Sequence, residues 1–227
     1  MIIKGIQKLT LLDFPGRVAC TIFTAGCNFR CPFCHNASLV VRDSGEAIAE
    51  EEIFDFLRAR RGRLSGICIS GGEPTLQPDL ERFIRRVREL GYAVKLDTNG
   101  YSPDVLLRLI SEGLLDYIAM DVKTSRERYS EVAGVEVDVS KIEQSAALVM
   151  RSGIPYEFRT TVVKELHTEE DFVKISEWLA GADQFYIQPF IDSGDVIFCG
   201  LNGYDKKDLI NLLNVMRAKI PSVKIRG

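Results

Sequence analysis

Short runs of β-branched and aliphatic residues recur along these 227 residues, each followed by a longer amphipathic stretch, and this alternation restricts the fold more than any other feature. The runs are Val18 to Phe23, Gly66 to Ser70, Ala93 to Thr98, Tyr117 to Asp121, Pro155 to Val163 and Gln184 to Pro189. Helical patterns span about Ala47 to Arg61, Pro78 to Leu90, Pro103 to Glu112, Ser140 to Arg151, Thr168 to Leu179 and Asp205 to Lys219. In Leu80, Phe83, Ile84, Val87 and Leu90 the apolar residues fall at helical spacing, so one stripe covers a sheet while Arg82, Arg85, Arg86 and Arg88 face water. Near-continuous apolar strands separated by helices imply a parallel sheet covered on its outer face. About six such units fall short of the eightfold barrel, which typically takes ~250 residues. The expected fold is therefore α/β, a partial (β/α)6 TIM-like barrel with a parallel sheet in a single domain, with an open doubly wound sheet as the alternative. Residues 1–17 read as an N-terminal extension, 18–204 as the barrel core and 205–227 as a C-terminal helix and strand. No repeat of fixed length, low-complexity tract or Pro/Gly-rich linker marks a second domain.

Composition narrows the function classes. With 46% hydrophobic and 27% charged residues, the chain is not disordered, collagen-like or a coiled coil. Lys and Arg total 29 against 32 Asp and Glu, a net charge of −3, which argues against a nucleic-acid partner. The start, Met-Ile-Ile-Lys-Gly, lacks the parts of a signal peptide, and no apolar stretch reaches the ~18 residues that span a bilayer. A cytoplasmic protein with no membrane partner is expected.

In α/β folds of either kind ligands collect at the carboxyl ends of the strands, so the loops that follow them carry the chemistry. The first strand runs into Gly26-Cys27-Asn28-Phe29-Arg30-Cys31-Pro32-Phe33-Cys34-His35-Asn36, which packs three of the six cysteines into eight residues. Two readings are open for this C-x₃-C-x₂-C spacing. One is a Cys₃His zinc site completed by His35. The other is a cubane iron–sulfur cluster, in which three local cysteines leave one iron free to bind something else. Cys20, Cys68 and Cys199 are expected to bind no metal. After the second strand comes Gly71-Gly72-Glu73-Pro74. The glycines permit close backbone approach to a ligand and Glu73 supplies a carboxylate for an ammonium, unless the segment is only a turn.

Cys27-x₃-Cys31-x₂-Cys34 with aromatic Phe33 before the third cysteine, followed by Gly71-Gly72-Glu73-Pro74, resembles the radical S-adenosylmethionine (SAM) enzymes. The resemblance implies one [4Fe-4S] cluster on Cys27, Cys31 and Cys34. It also implies SAM chelated to the free iron and cleaved by one electron to methionine and a 5′-deoxyadenosyl radical, with the Gly-Gly-Glu-Pro segment at the methionine ammonium. More narrowly, Asp13-Phe14-Pro15-Gly16, Cys34-His35-Asn36, Leu96-Asp97-Thr98-Asn99-Gly100 and Met120-Asp121-Val122-Lys123 resemble glycyl-radical-enzyme activases, above all the activating proteins of anaerobic ribonucleoside-triphosphate reductase. By that similarity Asp97, Thr98, Asn99 and Asp121 lie near the SAM carboxylate, with a monovalent cation near Asp97 and Asp121, and Lys123 neutralises the same end. Asp97 and Asp121 otherwise serve only as helix caps. Gln188 closes the last strand at the mouth, and the chain lacks the His that some relatives carry shortly after Pro189. The implied partners are a glycyl radical enzyme as protein substrate and a flavodoxin or ferredoxin-type electron donor. The competing functions are a radical SAM enzyme rearranging a small molecule such as a deazapurine precursor, and a non-catalytic zinc module.

Three expectations concern side chains outside these motifs. Arg159, mid-strand, is given a ligand-facing role because an ion pair with Glu157 along the strand is not expected. Peptide contacts are placed on the Asp13-Phe14-Pro15-Gly16 segment and on Asp192-Ser193-Gly194-Asp195, with Asp13 and His35 at the rim of the mouth. His167, in a polar loop, is expected at the surface.

Overall fold

The computed structural model describes residues 1–40 and 45–226. Among them, eight strands form one sheet in chain order: β1 (Ile3–Thr10), β2 (Ala19–Thr24), β3 (Gly66–Gly71), β4 (Ala93–Thr98), β5 (Tyr117–Asp121), β6 (Tyr156–Val162), β7 (Phe185–Pro189) and β8 (Lys224–Ile225). β1 runs antiparallel to β2, and every later neighbouring pair is parallel. The helices are α1 (Ala37–Val40), α2 (Glu50–Ala59), α3 (Leu80–Glu89), α4 (Pro103–Ser111), α5 (Tyr129–Ala133), α6 (Val139–Arg151), α7 (Glu169–Trp178) and α8 (Lys206–Arg217). The βα alternation from β2 to α8 is the expected partial barrel in one α/β domain. No helix among the described residues is long and apolar enough to cross a membrane.

Period-two alternation sorts each strand into two faces. Cys20, Ile22, Ile67, Ile69, Val94, Leu96, Ile118 and Met120 are fully buried in the main core with the stripe Leu80, Phe83, Ile84 and Val87 of α3. The opposite face is polar towards the strand ends. Lys95 and Asp97 on β4, Asp121 on β5, and Glu157 and Arg159 on β6 all share it. Lys95 and Glu157 on this inner face are fully buried charges, while the buried carboxylates Glu73 and Asp171 lie after β3 and on α7.

β1 was not expected. Its apolar residues miss a clean alternation because the pairing with β2 shifts register between Ile3 and Gly5 and again between Gln7 and Thr10. The loop that joins the two strands turns back beneath the barrel. Phe14 is 2% exposed, packs with Ala19, Ala93 and Tyr117, and meets the Tyr117 ring at 6.1 Å between centroids. Ala19, Ala93 and Tyr117 all stand at the first residues of their strands, so Phe14 stoppers the floor and is not the peptide contact at the mouth expected of this segment. Gly66, the first residue of β3, makes room for it: a Cβ there would lie 2.9 Å from two atoms of the Phe14 ring. Phe14→Ala is therefore expected to destabilise the fold by about 3 kcal/mol, the cost typical of deleting a buried phenyl ring. Urea unfolding that shows no loss of stability in this variant would remove Phe14 from the core.

Candidate functional site

A cavity of about 420 Å³ opens at the carboxyl ends of the strands. Cys27, Cys31, Cys34, Phe33, His35, Gly71, Gly72, Glu73, Asp97, Thr98, Asn99, Asp121, Lys123, Arg159, Gln188 and Asp13 all line it. Of the expected site residues only Pro74 stands back, as the first residue of a 3₁₀ turn capped by Glu73. Phe29, Asn36, Val40, Ser70 and Thr161 line it as well and had not been assigned a role.

The cysteine loop is fastened at several points. Gly26 N–H donates to Leu39 O at 2.9 Å, Arg30 N–H to Ala133 O at 2.8 Å and Phe198 N–H to Pro32 O at 2.9 Å. Gly71, the last residue of β3, and Gly72 do bring backbones together, but their partners are the end of β2 and the start of this same loop. A Cβ on Gly72 would sit 1.9 Å from Gly26 O, and Gly71, at φ +111°, has the Thr24 backbone nitrogen 2.3 Å from where its Cβ would be. Glu73 N–H closes the junction by donating to Gly26 O at 2.8 Å.

Glu73 is fully buried. Its Oε1 accepts from Thr75 N–H (3.0 Å), Thr75 Oγ1 (2.5 Å) and Thr98 Oγ1 (2.8 Å), while Oε2 accepts only from Asn99 N–H at 2.6 Å. A lone-pair direction on Oε2 is left for a further donor. Burial pushes the carboxyl pKa up against those hydrogen bonds.

Across the cavity, Arg159 bridges two carboxylates. Its Nε lies 2.8 Å from Asp121 Oδ1 and an Nη lies 3.3 Å from Asp97 Oδ2. Lys95 closes on Asp97 from below, Ser70 Oγ donates to Asp97 at 3.1 Å, and the Lys123 ammonium sits 3.1 Å from Asp121. Burial alone would raise both carboxyls, yet Arg159 with Lys95 at Asp97, and Arg159 with Lys123 at Asp121, hold them below the usual carboxylate range. Neither aspartate appears as a helix cap. Lys95 was missed, although its i, i+2 relation to Asp97 puts both on one strand face.

Three expectations need correction. Glu157 and Arg159 are two residues apart on β6, so they share a face after all and approach to 4.0 Å. The main partner of Glu157 is Arg226, which grips both oxygens at 2.6 and 2.8 Å. Asp13 lines the cavity from its deep end rather than its rim, accepting from Thr21 Oγ1 at 2.5 Å midway along β2. His167 is buried, not superficial, at 2% exposure. His35 does stand exposed at the mouth, with Nε2 2.9 Å from Ile191 O and its ring stacked on Phe190. Asp192 closes a turn on Gly194 N–H at 2.8 Å and Asp195 holds Ser38 at 2.7 Å.

The chemistry of the donor set fits a cluster. Burial pushes the Cys27 thiol up to about 11, Cys31 to about 12 and Cys34 upward, so a metal that binds the sulfurs displaces their protons. No three His, Cys, Asp or Glu side chains among the described residues enclose a single ion. A cubane instead takes one thiolate per iron and spreads them along a cavity wall. Cys20 and Cys68 are buried within strands and Cys199 is exposed, all three outside the cavity.

The comparisons with known proteins agree with this geometry. The profile of the Radical SAM superfamily matches residues 21–179. The "Putative glycyl-radical enzyme activating enzyme MJ1227" of Methanocaldococcus jannaschii is 34% identical over 235 aligned positions, covering 99% of this chain and 95% of that protein. A "Probable GTP 3′,8-cyclase" of Saccharolobus solfataricus is 27% identical over 170 positions, covering 72% of this chain and 54% of the cyclase. Among solved structures, Streptococcus suis SuiB bound to precursor peptide SuiA has the same fold at a TM-score of 0.72 and 18% identity, over 91% of this chain and 48% of SuiB. The chain thus spans about half the length of the cyclase and of SuiB. The profile match and the near full-length relative lead to one conclusion: the chain belongs to the radical SAM superfamily and is an enzyme of that class.

Proposed function

We propose that this enzyme activates a glycyl radical enzyme by removing a hydrogen atom from a glycine of that partner, with anaerobic ribonucleoside-triphosphate reductase as the partner that the loop motifs favour. The observation that carries the reading is the 34% identity to a protein named for that activity, over nearly the whole of both chains. A second reading, chemistry on a small molecule, draws on the cyclase match, which covers only about half of the cyclase.

In this reading Cys27, Cys31 and Cys34 hold the cluster and Phe33 lies beside it. A reduced [4Fe-4S] cluster with bound SAM supplies a 5′-deoxyadenosyl radical. Glu73 receives the ligand ammonium on Oε2, where its acceptor capacity is incomplete. Thr98 and Asn99 fix Glu73 through a hydroxyl and a backbone N–H. Lys123 faces the ligand carboxylate, Asp97 and Asp121 set the charge around it, and Gln188 closes the far side. Arg159 keeps the two aspartates from repelling an anionic group, as a cation between adjacent carboxylates must. A monovalent cation near the same pair adds to that neutralisation. His35 and the Asp192 to Asp195 stretch meet the glycine-bearing segment at the mouth, and a flavodoxin or ferredoxin-type protein delivers the electron.

The decisive experiment is anaerobic activation of the glycyl radical enzymes from the same organism, followed by electron paramagnetic resonance. The reading expects a doublet, from the single α-hydrogen left on the glycine. No doublet with any of them, together with SAM cleavage driven by a small molecule, selects the second reading.

Replacing any one of Cys27, Cys31 or Cys34 by Ala should abolish bound iron, sulfide and SAM cleavage, since three ligands leave no redundancy. Cys20→Ala, Cys68→Ala and Cys199→Ala should keep their iron. Full iron in a Cys31→Ala protein would refute the ligand set.

Glu73→Gln should keep the cluster and weaken SAM binding by ~1.5–3 kcal/mol, the range for a hydrogen bond to a charged group. The sign with pH follows from the raised carboxyl pKa of Glu73. The ammonium needs the ionised carboxylate, so wild-type affinity should fall as pH drops through that raised value, and the Glu73→Gln protein should lack this fall. Calorimetric titration that finds equal affinities at neutral pH would take Glu73 out of the site.

A further inference from the structure

The loop between β6 and α7 sends one side chain behind the cavity wall. His167 is 2% exposed, and Val163 N–H donates to its Nδ1 at 3.1 Å. Val163 O also lies 3.2 Å from Nδ1, so the tautomer is assigned from the other nitrogen: the Lys123 carbonyl facing Nε2 can only accept, which puts the proton there. Nε2–H donates to the backbone carbonyl of Lys123 at 2.7 Å. Burial lowers the ring's pKa, which favours its neutral form. The ring also packs edge-on against Phe33, at 6.0 Å between centroids, and against Phe172 at 6.1 Å.

Both of its neighbours towards the cavity line that cavity, and they come from different loops. Phe33 precedes Cys34, and Lys123 follows β5. Lys123 is gripped from its other side as well: its N–H donates to Tyr129 Oη at 3.2 Å, and its ammonium meets Asp121 at 3.1 Å. His167 itself cannot drift. Its N–H donates to Val163 O at 3.0 Å, Tyr204 Oη donates to its carbonyl at 2.6 Å, and Thr168 beside it starts α7 with a capping box to Asp171. A buried, fully satisfied imidazole of this kind is more than a stability device when the carbonyl it holds belongs to a cavity-lining lysine.

We propose that His167 is a positioning residue for SAM: through the Lys123 carbonyl and the Phe33 ring it holds both in the arrangement that receives the ligand. The inference rests on the reading of Lys123 as the cation opposite the ligand carboxylate. His167 itself does not line the cavity.

The test uses the full chain with its cluster reconstituted anaerobically, SAM affinity by calorimetry, iron and sulfide content, and thermal unfolding. His167→Gln keeps an amide N–H within reach of Lys123 O; His167→Asn is too short and leaves that carbonyl without its donor. His167→Asn should bind SAM about tenfold more weakly with unchanged iron, in keeping with one lost buried hydrogen bond. His167→Gln should stay within about threefold of wild type, while both lower the unfolding temperature alike. Wild-type affinity in His167→Asn, or equal losses in the two variants, overturns the inference, the second outcome because it reports packing alone. A His167→Asn protein that cannot assemble iron also overturns it, because the role assigned is to the ligand and not to the cluster. Lys123→Gln is measured in parallel. If Lys123→Gln leaves affinity unchanged, the reading of Lys123 fails; if it weakens binding and His167→Asn does not, His167 alone is at fault.

Discussion

A string of alternating charges inside the barrel governs the site: Lys95, Asp97, Arg159, Asp121 and Lys123 run across β4, β5, β6 and the loop after β5. The inner layers of a parallel barrel are ordinarily filled by branched apolar side chains into a solid core. Here the upper layer is ionic, and the space above it stays open. Each member depends on its neighbours. Removing one partner of a buried pair leaves a stranded charge, typically at a cost of about 3–5 kcal/mol, whereas the intact string has every charge opposed. Arg159 is the centre because it alone touches both carboxylates.

The string also explains why floor and mouth are built differently. Below Lys95 the interior turns apolar within one layer, where Phe14 fills the space between Ala19, Gly66, Ala93 and Tyr117. Glu157 extends the string, 4.0 Å from Arg159, and pairs with Arg226, whose guanidinium lies 3.4 Å from the Tyr186 ring centroid. β8 is held to the barrel through this pair and its pairing with β7.

How legible this was in the sequence depended on whether position along the chain or contact across it decided the outcome. β4 and β5 were read to the residue, because their apolar face and flanking turns are local signals. β1 was not, since its two register shifts scatter the alternation that a strand otherwise shows. Glu73 and Lys123 stand two residues past the ends of β3 and β5, and Asp97 is the penultimate residue of β4, so the rule that ligands gather at strand ends places all three. His167 lies in a stretch as polar as any surface loop, and only its partners, Val163 and the distant Lys123, make burial affordable. Asp13 likewise precedes β2 in a segment with exposed Leu11 and Leu12, and nothing local says that its side chain turns inward to Thr21.

The cysteine loop is tied to the rest of the barrel by protein contacts. Gly26, Arg30, Pro32 and Glu73 fix its backbone through hydrogen bonds to Leu39, Ala133, Phe198 and the Gly72 junction, and Phe29 and Phe33 wedge against Tyr101, Tyr129 and His167. In zinc-finger-like domains metal binding supplies the folding free energy itself. This barrel has its own apolar core. What loading must overcome is the proton on each buried thiol, held there by desolvation at Cys27, Cys31 and Cys34. Lys123 works in the opposite direction at all three sulfurs, favouring the thiolate across the cavity. The same ammonium thus serves the cluster loop and the ligand side of the cavity, which makes the position of its backbone, and whatever holds it, a property of the whole site.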